Sequence, residues 1–392
     1  MPLTRRTARA HGGPSGGRSY TAPVTLETAT PGFRTLGQPV ARRLATVAVR
    51  DRGLGQTLLV HGPRGAGTEA FVDDLLALAF CTDPDPDRRP CNACRGCRDG
   101  RARTHPDLVV GSPDAWRDGR SQGESIVNAA RRWLLGAAGS PVMAPRRIVL
   151  IERADRASEP IQNALLKALE EPSDRHAFVL VADEPARLLP TIRSRSQPLR
   201  IGPVPRDELV AHLMDVERMP QDLADALARI SNGLAGTAVA FARNQALLDW
   251  RRRVQLALVD ALERGRADRF GVVRDLLDDA VSLVPSRGPT DDEEVKTPAS
   301  VQREAALLVV DAWIGCARDL LVAGAGRPAL TPGGELEPRL AELGARAGVA
   351  PLRAMIDRLE AIHDGLRENA APRLSLEAAM LTWPFLEARG TA

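Results

Sequence analysis

Four cysteines, Cys81, Cys91, Cys94 and Cys97, fall within 17 residues, and the rest of the 392-residue chain holds only one more, Cys316. Random core placement does not cluster thiols in this way. Two overlapping C-x2-C steps, with Gly96 easing the turn, can aim three thiolates at one ion, and Cys81, ten positions upstream of Cys91, completes a tetrahedral set. The chemistry this predicts is a closed structural zinc (Zn2+) site, because a catalytic zinc keeps one position open. An iron–sulfur cluster is the competing possibility, but the spacing differs from the C-x2-C-x2-C-x3-C-P run of bacterial ferredoxins. Zinc would organise residues 81–104, whose Asp83-Pro84-Asp85-Pro86-Asp87-Arg88-Arg89 stretch would not fold unaided. Cys316, in an apolar helical pattern, reads as a core thiol.

A second candidate is a phosphate loop. The strand-like Thr57–His61 leads into Gly62-Pro63-Arg64-Gly65-Ala66-Gly67-Thr68-Glu69, and Ala70-Phe71-Val72 opens a helix. In GxxxxGK[ST] the glycines let backbone N–H groups wrap phosphate oxygens at a helix N-terminus. Lysine there reaches the β and γ phosphates, and a hydroxyl ligates magnesium. Here Gly62, Gly65 and Gly67 keep the frame, while Thr68 takes the lysine position and Glu69 the hydroxyl position. Loss of the lysine removes a charge-assisted contact worth about 1.5 to 3 kcal/mol, and a carboxylate repels a triphosphate. Arg64 lies at the apex of the loop rather than at the helix start, and is not a substitute. A glycine-rich turn that never held nucleotide would look similar on this segment alone. The strand beginning at Arg147 decides between them. A Walker B strand ends in Asp-Glu, for magnesium and for the attacking water. Glu152 and Arg153 stand there instead, and an arginine cannot act as the base. Two nucleotide-site elements are present in outline without their chemistry, so ATP is not expected to bind productively.

These residues need a layered framework to position them. Thr57–His61, Leu108–Gly111, Arg147–Glu152 and Ala177–Ala182 are short, apolar and partly β-branched, as buried parallel strands are. Between the last two, Ile161, Ala164, Leu165, Ala168 and Leu169 repeat with helical spacing up to Pro172. Strands alternating with helices predict an α/β fold with a doubly wound parallel sheet. After Pro203 and Pro205 the strand signal disappears. The predicted organisation is a disordered basic tail at 1–30 and an α/β domain at 31–204, with the zinc module at 81–104. A small helical lid follows at 205–245, then an all-α domain at 246–392. A flexible loop at 284–300, with three prolines and four consecutive acids, interrupts the last domain.

Composition narrows the possible functions. Hydrophobic residues make up 44% and charged residues 26%, an ordinary globular balance. The net charge of +3 comes from Arg5, Arg6, Arg9 and Arg18 of the tail, set against Glu27, which leaves the body near neutral. A bulk basic footprint for nucleic acid is therefore missing. With 3% aromatics, and Tyr20 the sole tyrosine, a base-stacking platform is missing too. The 53 basic residues include just two lysines, Lys167 and Lys296. Asp311, Arg318 and Asp319 interrupt the best apolar run, Ala305–Val322, which reads as a buried helix and not as a membrane span. No apolar export segment opens the chain, so a cytoplasmic, reducing location is expected.

Two further motifs are distinctive: Ala164-Leu165-Leu166-Lys167-Ala168-Leu169-Glu170-Glu171-Pro172 and Ser194-Arg195-Ser196. Together with the defective phosphate loop and the four-cysteine insertion, they resemble the delta-prime subunits of the bacterial DNA polymerase III clamp loader, in the AAA+ superfamily. The resemblance runs from Leu36-Gly37-Gln38 to about residue 204. It continues more loosely to the C-terminus, where Trp313, Arg318-Asp319-Leu320-Leu321 and Leu374-Ser375-Leu376-Glu377-Ala378 look like collar helices. It implies an AAA+ α/β domain, a lid and a collar that joins a hetero-oligomer. It also implies a subunit that hydrolyses no ATP itself and assembles with motor ATPase and clamp-opening subunits. Such a subunit helps load the sliding clamp onto primer-template DNA. By the same resemblance Arg195 is an arginine finger offered in trans, with Ser196 replacing the cysteine of the family's Ser-Arg-Cys motif. Gly236, in Gly233-Leu234-Ala235-Gly236-Thr237, stands where ATP-binding relatives carry a sensor arginine, and Ala182-Asp183 stand where relatives place Thr or Asn. Lys167 reads as a solvated helix position. Two alternatives are an AAA+ ATPase with an unorthodox nucleotide site and a zinc-dependent nucleic-acid-binding module. Thr68 and Arg153 count against the first. The near-neutral body and sparse aromatics count against the second.

Overall fold

The protein is described by a computed structural model covering residues 32–50, 54, 57–170, 173–284, 299–327, 336–367 and 370–386. The tail at 1–30, Pro172 and residues 285–298 of the predicted loop lie outside the described residues. Five strands, β1 (Thr57–His61), β2 (Leu108–Gly111), β3 (Arg147–Ile151), β4 (His176–Ala182) and β5 (Ser196–Arg200), form one parallel sheet in the order β2-β3-β4-β1-β5. Helices α1 (Pro39–Arg50) and α2 (Thr68–Phe80) cover one face. A short helix, α3 (Arg95–Arg101), belongs to the cysteine module. The other face is covered by α4 (Pro113–Asp118), α5 (Ile126–Ala137) and α6 (Glu159–Glu170), with α7 (Pro190–Arg195) alongside.

Both faces of each central strand are buried, which is why these strands need apolar runs and not alternation. Leu58, Val60, Leu150 and Val179 pack with Phe71, Leu75 and Leu76 of α2. Leu59, Val149, Ile151 and Phe178 pack with Ile161, Leu165 and Leu169 of α6. Strand β5 is absent from the sequence-based prediction. Its Ser196-Gln197-Pro198-Leu199-Arg200 has no apolar run, and it pairs only with β1 at the sheet edge, where a proline is tolerated.

Past β5 the chain is helical: α8 (Arg206–Asp215), α9 (Gln221–Ile230), α10 (Ala235–Arg243), α11 (Gln245–Leu262), α12 (Arg266–Leu283), α13 (Ala299–Gly324), α14 (Glu337–Ala347), α15 (Val349–Arg367) and α16 (Pro372–Leu381). One continuous apolar core runs through them, with Trp313, Cys316 and Leu320 of α13 buried at its centre. Ala299 and Ser300, assigned to the loop from sequence, instead open α13. Arg269 on α12 is 1% exposed and donates to the carbonyls of Met380, Trp383 and Pro384, capping the end of α16. No described helix is long and apolar enough to cross a membrane.

Candidate metal centre and candidate nucleotide loop

The four clustered cysteines converge in space. Cys81 follows the last turn of α2, Cys94 caps α3 and Cys97 lies inside it. All four Sγ atoms lie within 4.8 Å of one another, with Cys91 to Cys97 at 3.9 Å and Cys81 to Cys94 at 4.0 Å. A tetrahedral zinc with Zn–S bonds of about 2.3 Å requires sulfurs about 3.8 Å apart. The backbone N–H groups of Cys91, Cys94 and Cys97 each lie 3.4 Å from a neighbouring Sγ, so backbone donors enclose the sulfur cluster. This donor set fits a closed four-thiolate site, and among the described residues no other cluster of three or more His, Cys, Asp or Glu side chains converges in this way. The expected role of Gly96 changes. It sits within α3 without a positive φ, and a Cβ there would collide with the carbonyl oxygen of Phe80. Its value is close approach of α3 to α2, not an easier turn.

The module reaches the nucleotide-like site through two adjacent aspartates of α2. Asp74, fully buried, accepts from the backbone N–H groups of Arg34 and Thr35 and pairs with Arg101 at 2.5 Å. Asp73 pairs with Arg103 at 2.8 Å, and another nitrogen of Arg103 bonds Glu152. Burial works against the charge of Arg103, yet Asp73 and Glu152 outweigh it and raise the guanidinium pKa. Glu152, which the motif reading puts at the magnesium-ligand position, is thus paired with an arginine from the cysteine module. Sequence reasoning missed this set of residues. The available signal was two neighbouring acids in an otherwise apolar helix, which cannot be buried without cations.

The phosphate-loop frame is retained. Gly65 and Gly67 have φ of +81° and +98°, which only glycine adopts freely. Helix α10, in the stretch predicted as a lid, sits on this loop. Thr237 N–H donates to the Gly65 carbonyl at 3.1 Å, and a Cβ on Gly236 would lie 2.9 Å from that same oxygen. Glycine at position 236 therefore permits backbone contact between α10 and the loop. Thr68, at the position the motif reading gives to lysine, is buried, and among the described residues its Oγ1 has no hydrogen-bond partner.

The charges around the loop are held internally. Arg64 pairs with Glu304 of α13 at 3.4 Å and with Asp183, beyond β4, at 3.9 Å. Arg367, at the end of α15, pairs with Asp183 at 3.6 Å and with Glu184. Arg153, in the left-handed region at φ +50°, pairs with Asp114 at 3.0 Å. Asp155 accepts from the Glu184 N–H at 2.9 Å; burial, then the Asp183 charge, push its carboxyl up to about 6. The nearby Arg156 is brought down to about 10 by burial and by Arg153 and Arg64.

Arg195 ends α7 and is exposed, as is Lys167 on α6. Ser196, beside it, is buried and donates to the Ile192 carbonyl.

Residues 37–205 match the family model described as DNA polymerase III, delta subunit. The chain is 28% identical over 241 residues to DNA polymerase III subunit delta' of Bacillus subtilis, covering 61% of this chain and 69% of that one. It is 32% identical over 217 residues to the Escherichia coli subunit delta', covering 54% and 60%. A longer alignment, 27% identical over 368 residues, covers 87% of this chain and 59% of DNA polymerase III subunit gamma/tau of Mycobacterium tuberculosis strain H37Rv. These matches bear out the resemblance to clamp-loader AAA+ subunits of the delta-prime type.

Proposed function

We propose that this chain is a non-hydrolysing clamp-loader subunit of a replicative DNA polymerase III, accessory to the polymerase and without catalysis of its own. In this reading it joins motor ATPase and clamp-opening subunits through its C-terminal helices and helps place a sliding clamp on primer-template DNA. The units at 31–204, 205–245 and 246–392 serve as the AAA+ domain, lid and collar. One observation carries the reading: the phosphate loop keeps its glycine frame while Glu152 is neutralised by Arg103, Arg153 is tied to Asp114, and Thr68 stands where lysine belongs. A site in this state supports neither magnesium ligation nor a general base.

The chemistry this chain contributes is one charge. Arg195 is exposed at the end of a short helix, and a guanidinium placed against a neighbour's γ-phosphate stabilises developing charge, an effect worth about 10³ to 10⁵ in rate. Cys81, Cys91, Cys94 and Cys97 would hold zinc, which when bound cross-links α2 to α3 and fixes the segment that delivers Arg101 and Arg103. The test is reconstitution of the loader with Arg195→Ala and measurement of DNA- and clamp-stimulated ATPase. Loss of stimulation is expected. Unchanged stimulation removes the finger and leaves a scaffold. Magnesium-dependent hydrolysis by the purified chain alone, surviving Arg195→Ala, overturns the non-hydrolysing role.

A further inference from the structure

The guanidinium of Arg195 does not project away from its own domain. One nitrogen donates to the Thr191 carbonyl of the same helix at 3.1 Å, and another lies 3.1 Å from a carboxylate oxygen of Glu170, the last residue of α6. Both side chains are 42% exposed, so the pair is solvated and reversible. Helix stability gives no reason for Glu170, because a carboxylate at a helix C-terminus faces the negative end of the macrodipole. Pairing with an arginine from the adjacent α7 does give a reason.

We propose that Glu170 is a positioning residue for Arg195, parking the guanidinium against α6 until a nucleotide phosphate on a neighbouring subunit competes for it. This rests on the finger role proposed above. A γ-phosphate offers more charge and more acceptor oxygens than one solvated carboxylate, so docking of the neighbour displaces Glu170 without unfolding anything. The parked state keeps the finger ordered and limits its contact with phosphate before the subunits close.

Two measurements test this. On the isolated full chain, the rate at which an arginine-specific dicarbonyl reagent modifies Arg195 is read by peptide mass spectrometry, with exposed Arg193 as the internal standard. Glu170→Gln should speed modification of Arg195 by about twofold to fivefold, the range of an exposed ion pair. An unchanged rate overturns the parked state, whatever Arg195 does in the assembly. In the reconstituted loader, Glu170→Gln should raise unstimulated ATPase or lower the KM for ATP by a similar factor, and should have no effect in an Arg195→Ala background. An effect that persists in that background overturns the proposal, because Glu170 then acts by another route. Full stimulation of the Arg195→Ala loader overturns the finger role and with it the role of Glu170, while the modification rate still reports the pair itself.

Discussion

Arg103 is the contact through which the cysteine module neutralises the nucleotide-like site, and its replacement by methionine isolates that contact. The guanidinium bridges Asp73, which is 6% exposed, and Glu152. Methionine keeps much of the packing volume and removes the charge, leaving Asp73 buried without its main counter-ion. Removing one partner of a buried pair costs about 3 to 5 kcal/mol. Arg101, which also acts on Asp73, places the expected loss near the lower end, about 3 kcal/mol at neutral pH. The pH dependence follows from the same residue. Burial already raises the Asp73 carboxyl above its ordinary range while Arg103 opposes the rise, so removing Arg103 lifts it further. A carboxyl raised in the folded state contributes stability below its unfolded pKa, near 4, and loses that contribution as pH rises through the folded value. Arg103→Met should therefore be far less destabilised near pH 4 to 5 than near pH 8, as read by urea unfolding of the full chain followed by circular dichroism. Adding Asp73→Asn should recover most of the loss near pH 8. Equal destabilisation at both pH values, or no recovery with Asp73→Asn, refutes the reasoning.

Metal removal by a chelator, or Cys97→Ser, should release zinc to a chromogenic indicator and abolish hydrogen-exchange protection of α3; retained protection would mean that the module folds without metal. Asp107, fully buried, accepts from the N–H groups of Val142, Met143 and Ala144 at 2.5 to 2.7 Å. Burial would raise this carboxyl, but those three donors hold it below the ordinary range. Its contribution is thus present above pH about 4 and lost as pH falls through the lowered folded value, and Asp107→Asn should cost about 2 to 5 kcal/mol in thermal or urea melts at neutral pH. Asp155 has the opposite sign: pushed up to about 6, it stabilises the protein in acid and loses that contribution as pH rises through about 6. Asp155→Asn should flatten this part of the stability–pH curve by about 2 to 3 kcal/mol, and an unaltered curve would place the titration elsewhere.

The sequence alone determined features whose physics is local. Thiols three residues apart share one turn of backbone, so Cys91, Cys94 and Cys97 converge wherever the module is placed, and the fold puts Cys81 with them. Buried parallel strands need continuous apolar runs, so β1, β3 and β4 were readable, and the half-buried edge strand β2 was readable from its own short apolar run, as were Ile161, Leu165 and Leu169 on the buried side of α6. The positive φ of Gly65 and Gly67 follows from the turn that their spacing describes. Features that depend on distant partners were not readable. Strand β5 exists because β1 offers it an edge, not because Ser196–Arg200 favours extended backbone. Gly96 is required by the carbonyl of Phe80, sixteen residues earlier in the chain. Arg64 and Glu304 are 240 residues apart, and Arg367 meets Asp183 across the same junction. An arginine in an arginine-rich chain carries no sign of which acid it will meet. Its counter-ion is chosen by packing, because a buried charge needs a partner within a few ångströms and only the folded chain decides which group stands there.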